Sequence, residues 1–226
     1  MVISFLTSSF LFGGNAFVNA AEIDSIPNTT RNFKEYDNSY LSATGYAALG
    51  INDRSHYIDT SYYRQVKTER EFLQAILDAG NGSVKVIEVA KDLNLGWKAL
   101  NLSSEEAKKY RFIKKYRDPM NGFTNPNLAS SGVSQLDINN VDGLTIFSKK
   151  GKTIRSAEFK LQNSTNDIVI RNLNFDGMWQ WDDTGKHKEV GWTFIKVNGA
   201  NNVWIDHCKF SIAAVGLIYT ENGGSK

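Results

Sequence analysis

Two ten-residue blocks repeat one another. Residues 166–175 read Asn-Asp-Ile-Val-Ile-Arg-Asn-Leu-Asn-Phe, and residues 201–210 read Asn-Asn-Val-Trp-Ile-Asp-His-Cys-Lys-Phe. An Asn opens each. Ile168 matches Val203, Ile170 matches Ile205, Leu173 matches Cys208 and Phe175 matches Phe210, always 35 positions on. Each block alternates apolar and polar residues and bends after its second apolar residue. Bent strands recurring at a fixed interval are what a solenoid needs, because like residues must stack over like. A sandwich also has short strands separated by coil. It gives no reason for one pattern to recur in register.

The strand signal spreads from about Gly143 onward. Leu144 and Ile146 alternate, as do Phe159 and Leu161, Ile168 and Ile170, Ile195 and Val197, Val203 and Ile205. Turns between them carry Gly151, Asn163, Asn166, Asn198-Gly199 and Asn201-Asn202. Leu144 precedes Ile168 by 24 residues, and the later interval is longer because Asp176–Val190 reads as an inserted loop.

Upstream, Thr68-Glu69-Arg70-Glu71 is a capping box. Phe72, Leu73, Ile76 and Leu77 then share a helical face, Gly80 is a stop, and Val84–Val89 is an apolar strand. Such a helix is expected to cover the open apolar end of a solenoid. Residues 91–140 read as loop and short helix, the helix opening at Ser103-Ser104-Glu105-Glu106, with Pro119, Gly122 and Pro126 as breakers. Residues 21–65 read as a polar N-terminal arm, leaving 66–226 as the solenoid domain. Residues 1–20 read as a signal peptide, with an uncharged apolar stretch and small residues at Val18-Asn19-Ala20. A secreted, extracellular protein is therefore expected. Gly13, Gly14, Asn15 and Asn19 argue against a membrane anchor.

The chain has 226 residues, with 26 basic against 24 acidic, so no global field draws it to nucleic acid or to a membrane surface. A monomer is expected. The basic run Lys108–Lys115 reads as a solvated helix face. Cys208 is the single cysteine, which excludes a disulfide within the chain, and it reads as a small buried hydrophobe.

Val203-Trp204-Ile205-Asp206-His207-Cys208, with Phe210-Ser211, resembles the signature strand of the pectate lyases of polysaccharide lyase family 1. Val66–Val89 resembles that family's opening helix and first strand. Gly132-Val133-Ser134, Gly143–Ser148 and Gly151–Ile154 resemble its early rungs. Ile170–Asp176 and Met178–Asp182 resemble a later strand and the acidic, Trp-rich loop after it. The resemblance implies an all-β right-handed parallel β-helix, here its N-terminal part, with a short capping helix. It implies eliminative cleavage of polygalacturonate, a pectin-type acidic polysaccharide. In that chemistry calcium bridges a uronate carboxylate to protein carboxylates and stabilises the enolate formed when an Arg removes the C5 proton.

The chain departs from the family at the positions that carry this chemistry. The calcium-binding acid expected after Trp192 is Thr193. The acidic frame after the signature reads Val215-Gly216-Leu217-Ile218-Tyr219. Calcium takes oxygen ligands, several of them charged, and Val and Tyr supply no carboxylate. The rungs bearing the family's Arg and its companion Lys lie beyond Lys226, so a chain truncated at its C-terminus and inactive as it stands is expected. Asp182 and Asp183, with Glu189, are the remaining metal candidates, and a solvated acidic loop is the plainer reading. Trp179, Trp181 and Trp192 are candidates for stacking on sugar, or cover the outside of a rung.

Trp204, Asp206 and His207 mark the signature strand. Adjacent residues on a strand point to opposite faces, so Asp206 and His207 pair only if the chain bends between them. A structural role beside the groove is expected for both. No catalytic residue is assigned, and neither Arg155 nor Arg171 is read as the base. Two competing functions are a non-catalytic β-helix that binds polysaccharide or mediates attachment, and a hydrolase using paired carboxylates, for which Asp176 with Asp206 is the one pair on offer.

Overall fold

Ser134, Leu136 and Ile138 are buried while Gln135 and Asp137 are half-buried, the period-two pattern of a strand with one face on a core. The same logic runs through a computed structural model, which describes residue 43 and residues 45–114, 131–162, 164–178, 193–213 and 216–222. All of these lie in one unit, Glu35–Lys226.

The first strands are β1 (Tyr63–Val66), β2 (Val86–Val89), β3 (Leu93–Asn94) and β4 (Phe112–Lys114). Three turns of a coil follow. The first holds β5 (Ser134–Ile138), β6 (Asp142–Phe147) and β7 (Thr153–Arg155). The second holds β8 (Ala157–Leu161), β9 (Asn166–Arg171) and β10 (Asn174–Met178). The third holds β11 (Ile195–Asn198), β12 (Asn201–Asp206) and β13 (Lys209–Ala213), and β14 (Ile218–Glu221) opens another. Each turn gives one strand to each of three parallel sheets: sheet A, β1-β2-β6-β9-β12; sheet B, β3-β7-β10-β13; sheet C, β5-β8-β11-β14, with β4 antiparallel at its edge. This is a parallel β-helix.

The repeat sets the register. Leu144, Ile168 and Val203 lie over one another in sheet A, as do Ile146, Ile170 and Ile205. Phe175 pairs with Phe210 in sheet B. Inside, Phe72 stacks on Phe159 at 5.7 Å, Phe159 meets Phe175 edge-on at 5.6 Å, and Phe175 stacks on Phe210 at 5.2 Å. Apolar burial of this kind contributes about 2–3 kcal/mol per large side chain.

The recurring Asn residues mark the corners. Asp167 and Asn202 enter sheet A with φ of 58° and 51°, and Gly143 does so at 79°. Asn172 and His207, at 51° and 50°, form the corner between sheets A and B. Asn and Asp tolerate this left-handed region better than most residues. Asn side chains also tie rung to rung: Asn166 donates to Asp142 Oδ1 at 3.0 Å, Asn202 to Asn166 Oδ1 at 3.0 Å, and Asn172 to Ser148 O at 2.5 Å.

Helix α1 (Glu69–Gly80) has the Thr68/Glu71 capping box and buries Phe72, Leu73, Ala75, Ile76 and Ala79, while Leu77 is only half-buried. Helices α2 (Trp97–Leu100) and α3 (Ser104–Lys109) follow, the latter with a Ser103/Glu106 box. The segment 91–140 also contributes strands β3, β4 and β5, which the loop reading of that stretch did not foresee. The alternation there is short and carried by Ser, Gln and Asp. The described end of the polar arm, from Ile51, lies on the outer face of sheet A. Tyr57 and Ile58 pack there on Val86 and Phe147. Among the described residues no helix is long and apolar enough to cross a membrane.

Candidate functional site

Two outer faces carry the residues singled out in the sequence. On sheet A, register places Gln65, Glu88, Phe147, Arg171 and Asp206 in one row across five strands. At one end of the row the Tyr63 hydroxyl donates to Glu88, and the Lys149 ammonium lies 3.5 Å from the same carboxylate. Burial, and then the Glu88 carboxylate, push the Tyr63 phenol well above its ordinary range. At the other end Asp206 Oδ2 lies 2.9 Å from Arg171 Nε and 2.7 Å from His207 Nδ1.

Asp206 and His207 therefore do pair. The strand ends at Asp206, and the left-handed φ of His207 turns its ring back beside its neighbour. Trp204 lies over the Arg171 guanidinium, with its ring centroid 5.0 Å from Cζ. This tight cluster spans two rungs and rigidifies a corner. The carboxylate pair Asp176 with Asp206 is not brought together. Asp176 is in register with Ser211 in sheet B and pairs with Arg155 at 3.5 Å, whereas Asp206 is in register with Arg171 in sheet A. A 30-residue interval does not correspond to one turn here, because the matching register is 35 residues. Cys208 is packed against the core, 3.5 Å from Ile170 O, and burial raises its thiol to about 11.

The second face is the outside of sheet C. It begins with Glu158, which is fully buried, and Thr193, 4% exposed. The Thr193 hydroxyl donates to Glu158 Oε2 at 2.9 Å and its amide donates to the same oxygen at 3.2 Å. Asp137, Lys160, Lys196 and Tyr219 then stand in one row, strand over strand. Lys196 Nζ is 3.1 Å from Glu221 Oε1 and 5.3 Å from the Tyr219 ring centroid. A second row is built of amides: Asn198 donates to Gln162 Oε1 at 3.3 Å and Asn222 donates to Asn198 Oδ1 at 2.5 Å.

Calcium fits poorly among these side chains. Thr193 supplies one neutral oxygen, already engaged in donating to Glu158. Tyr219 supplies a ring with an ammonium against it. Among the described residues no three His, Cys, Asp or Glu gather closely enough to hold a metal ion. Val215 and the loop candidates Asp182, Asp183, Glu189, Trp179, Trp181 and Trp192 lie outside the described residues.

Sequence reasoning missed Glu158, Lys160, Lys196 and the Asn52/Arg54 contact with Asp167 described below. The outward alternation of β8 and β11 was the available signal for the two Lys residues. Nothing local marks Arg54.

No family model matches the chain. Pectate lyase B of Paenibacillus amylolyticus is 34% identical over 169 residues, covering 74% of this chain and 41% of that protein. A pectate trisaccharide-lyase of Thermotoga maritima is 36% identical over 44 residues, 20% of this chain and 12% of that one. A solved pectate lyase of Paenibacillus sp. 0602 superposes with a TM-score of 0.65 at 30% identity, over 83% of this chain and 41% of that chain. The chain thus spans about two fifths of the length of the first relative and of the solved structure.

Proposed function

The chain is a relative of the pectate lyases, and on that premise we propose that its β-helix is a binding floor for polygalacturonate, the polymer that a pectate lyase cleaves by elimination. In that reaction the C5 proton of a uronate passes to a base. The C5 electron pair forms the C4–C5 double bond, and the glycosidic oxygen leaves C4. The observation that carries the reading is the extent of the kinship: 34% identity over 74% of the chain, on a fold shared with a solved pectate lyase.

In this reading the described rungs bind the polymer without turning it over. In the later rungs Arg155 is tied to the Asp176 carboxylate and Arg171 to that of Asp206. The positions where the resemblance places calcium carboxylates hold Thr193, Val215 and Tyr219 instead. The inserted-loop Trp residues are proposed as stacking surfaces for sugar rings. The protein is proposed to act outside the cell as a monomer, with residues 1–20 removed on export.

The test joins two readouts on one sample. Binding is followed by retardation in a polygalacturonate gel, and turnover by the absorbance of the unsaturated uronate, with calcium added. Binding without product supports the reading. Product overturns the non-catalytic part and keeps the substrate. Neither binding nor product overturns it entirely.

A further inference from the structure

Lys160 and Lys196 are the unusual feature of sheet C. They are directly in register on neighbouring parallel strands, β8 and β11, whose backbones run about 4.8 Å apart. Both are half-buried and alternate with the inward residues Phe159, Leu161, Ile195 and Val197. Like charges placed opposite one another across a sheet are destabilising. Lys196 is relieved by Glu221. Lys160 has no ion pair among the described residues, and Asp137, its neighbour on the other side, accepts from Gln135 Nε2 at 2.7 Å. An anion lying across both ammonium groups would relieve the repulsion.

The surroundings specify the anion. Tyr219 follows Lys196 in the row and is 49% exposed, offering a ring face to a sugar. The amide row Gln162, Asn198 and Asn222 runs beside it, with donors and acceptors suited to hydroxyl groups. Carboxylate, ring face and hydroxyls together describe an acidic sugar unit in a chain. We propose that Lys160 and Lys196 form a carboxylate site for a uronate chain lying along sheet C, so that protein ammonium groups meet the charge without a bridging calcium ion. The inference rests on the reading of the chain as a polygalacturonate binder. It agrees with the poor fit of calcium to Thr193 and Tyr219.

The test measures affinity of the full chain for polygalacturonate by calorimetry, in chelator and in added calcium, over a range of salt. The expected result is binding that persists in chelator and weakens as salt rises. Lys160→Ala and Lys196→Ala should each lower affinity about tenfold, the scale of one hydrogen bond to a charged group. Lys160→Arg and Lys196→Arg should stay within about twofold of the parent, since a charge-assisted donor remains. Both Lys side chains point outward, and unchanged thermal midpoints of the four variants verify the fold. Binding that the Ala variants retain, or that the chelator abolishes, overturns the site and leaves the polygalacturonate reading standing. No binding by the parent chain under any condition overturns both.

Discussion

Arg54 and Asp167 stand 113 residues apart in the chain and form an ion pair in which each side chain is only 3% exposed. Arg54 also donates to Asp167 O at 2.8 Å, and Asn52 Nδ2 donates to Asp167 Oδ2 at 2.6 Å. Removing one member of a buried pair leaves the other charge uncompensated, at a cost of about 3–5 kcal/mol. Arg54→Met should lower stability by that amount in urea titration. The same change in an Asp167→Asn background should cost clearly less, because no orphan carboxylate remains. Equal costs in the two backgrounds would refute a coupled pair.

Phe175 touches Phe159, Phe194 and Phe210 along the core axis. Phe175→Ala should destabilise by about 3–5 kcal/mol, the range for emptying a buried aromatic site. Phe175→Leu should lose less. A loss under about 1 kcal/mol for the Ala variant, read by urea titration, would mean the ring is not packed as described.

Glu71 accepts from the Lys67 and Thr68 amides, and these hydrogen bonds, that from Lys67 foremost, hold its carboxyl below the ordinary value. A depressed folded pKa contributes stability that is present above the unfolded pKa and is lost as pH falls through the folded one. Glu71→Gln keeps an acceptor without a titrating group, so its stability curve should flatten on the acid limb. Thr68→Ala should cost about 1 kcal/mol at neutral pH through loss of the cap. Circular dichroism during denaturation at several pH values measures both.

His207 combines a left-handed φ of 50° with the contact to Asp206. His207→Asn should be nearly neutral, because Asn tolerates that conformation. His207→Val should cost about 1–2 kcal/mol in backbone strain. Asp206→Ala should cost more than His207→Asn, because it strips Arg171 of its carboxylate. The reverse order in thermal melts would contradict the cluster's geometry.

Cys208, with its thiol raised to about 11 by burial, should resist alkylation at neutral pH in the native protein and react readily once unfolded. Comparable rates in the two states would place the thiol on the surface.

Much of the fold was legible because a β-helix writes its geometry into the sequence one turn at a time. Ile168 and Val203 share a column, so both are aliphatic. Asn172 and His207 share a corner, so both take the left-handed region. The strand β5 was marked only at its start, by the resemblance of Gly132-Val133-Ser134 to an early rung, since Ser134, Gln135 and Asp137 lack the β-branched and aromatic residues that advertise a strand. The site was legible at the signature strand and at Thr193 and Tyr219, which the family resemblance marked. Asp206 and His207 were seen as a pair that needed a bend, and the bend is a dihedral angle no composition reveals.

The sequence by itself determined the repeat, the columns of like residues and the kinship with pectate lyases, because these depend on spacing along one dimension. Only the tertiary structure decided that Arg54 reaches Asp167, that Thr193 is bound to Glu158, and that Lys160 lies beneath Lys196. Arg54 and Asp167 are 113 residues apart, which no repeat predicts, while Thr193 with Glu158 and Lys196 with Lys160 are one turn apart in a stretch without the repeated block to set their register. These relationships depend on where loops of unequal length return the chain to the sheet, and charge and hydrogen bonding act on the resulting distances in space.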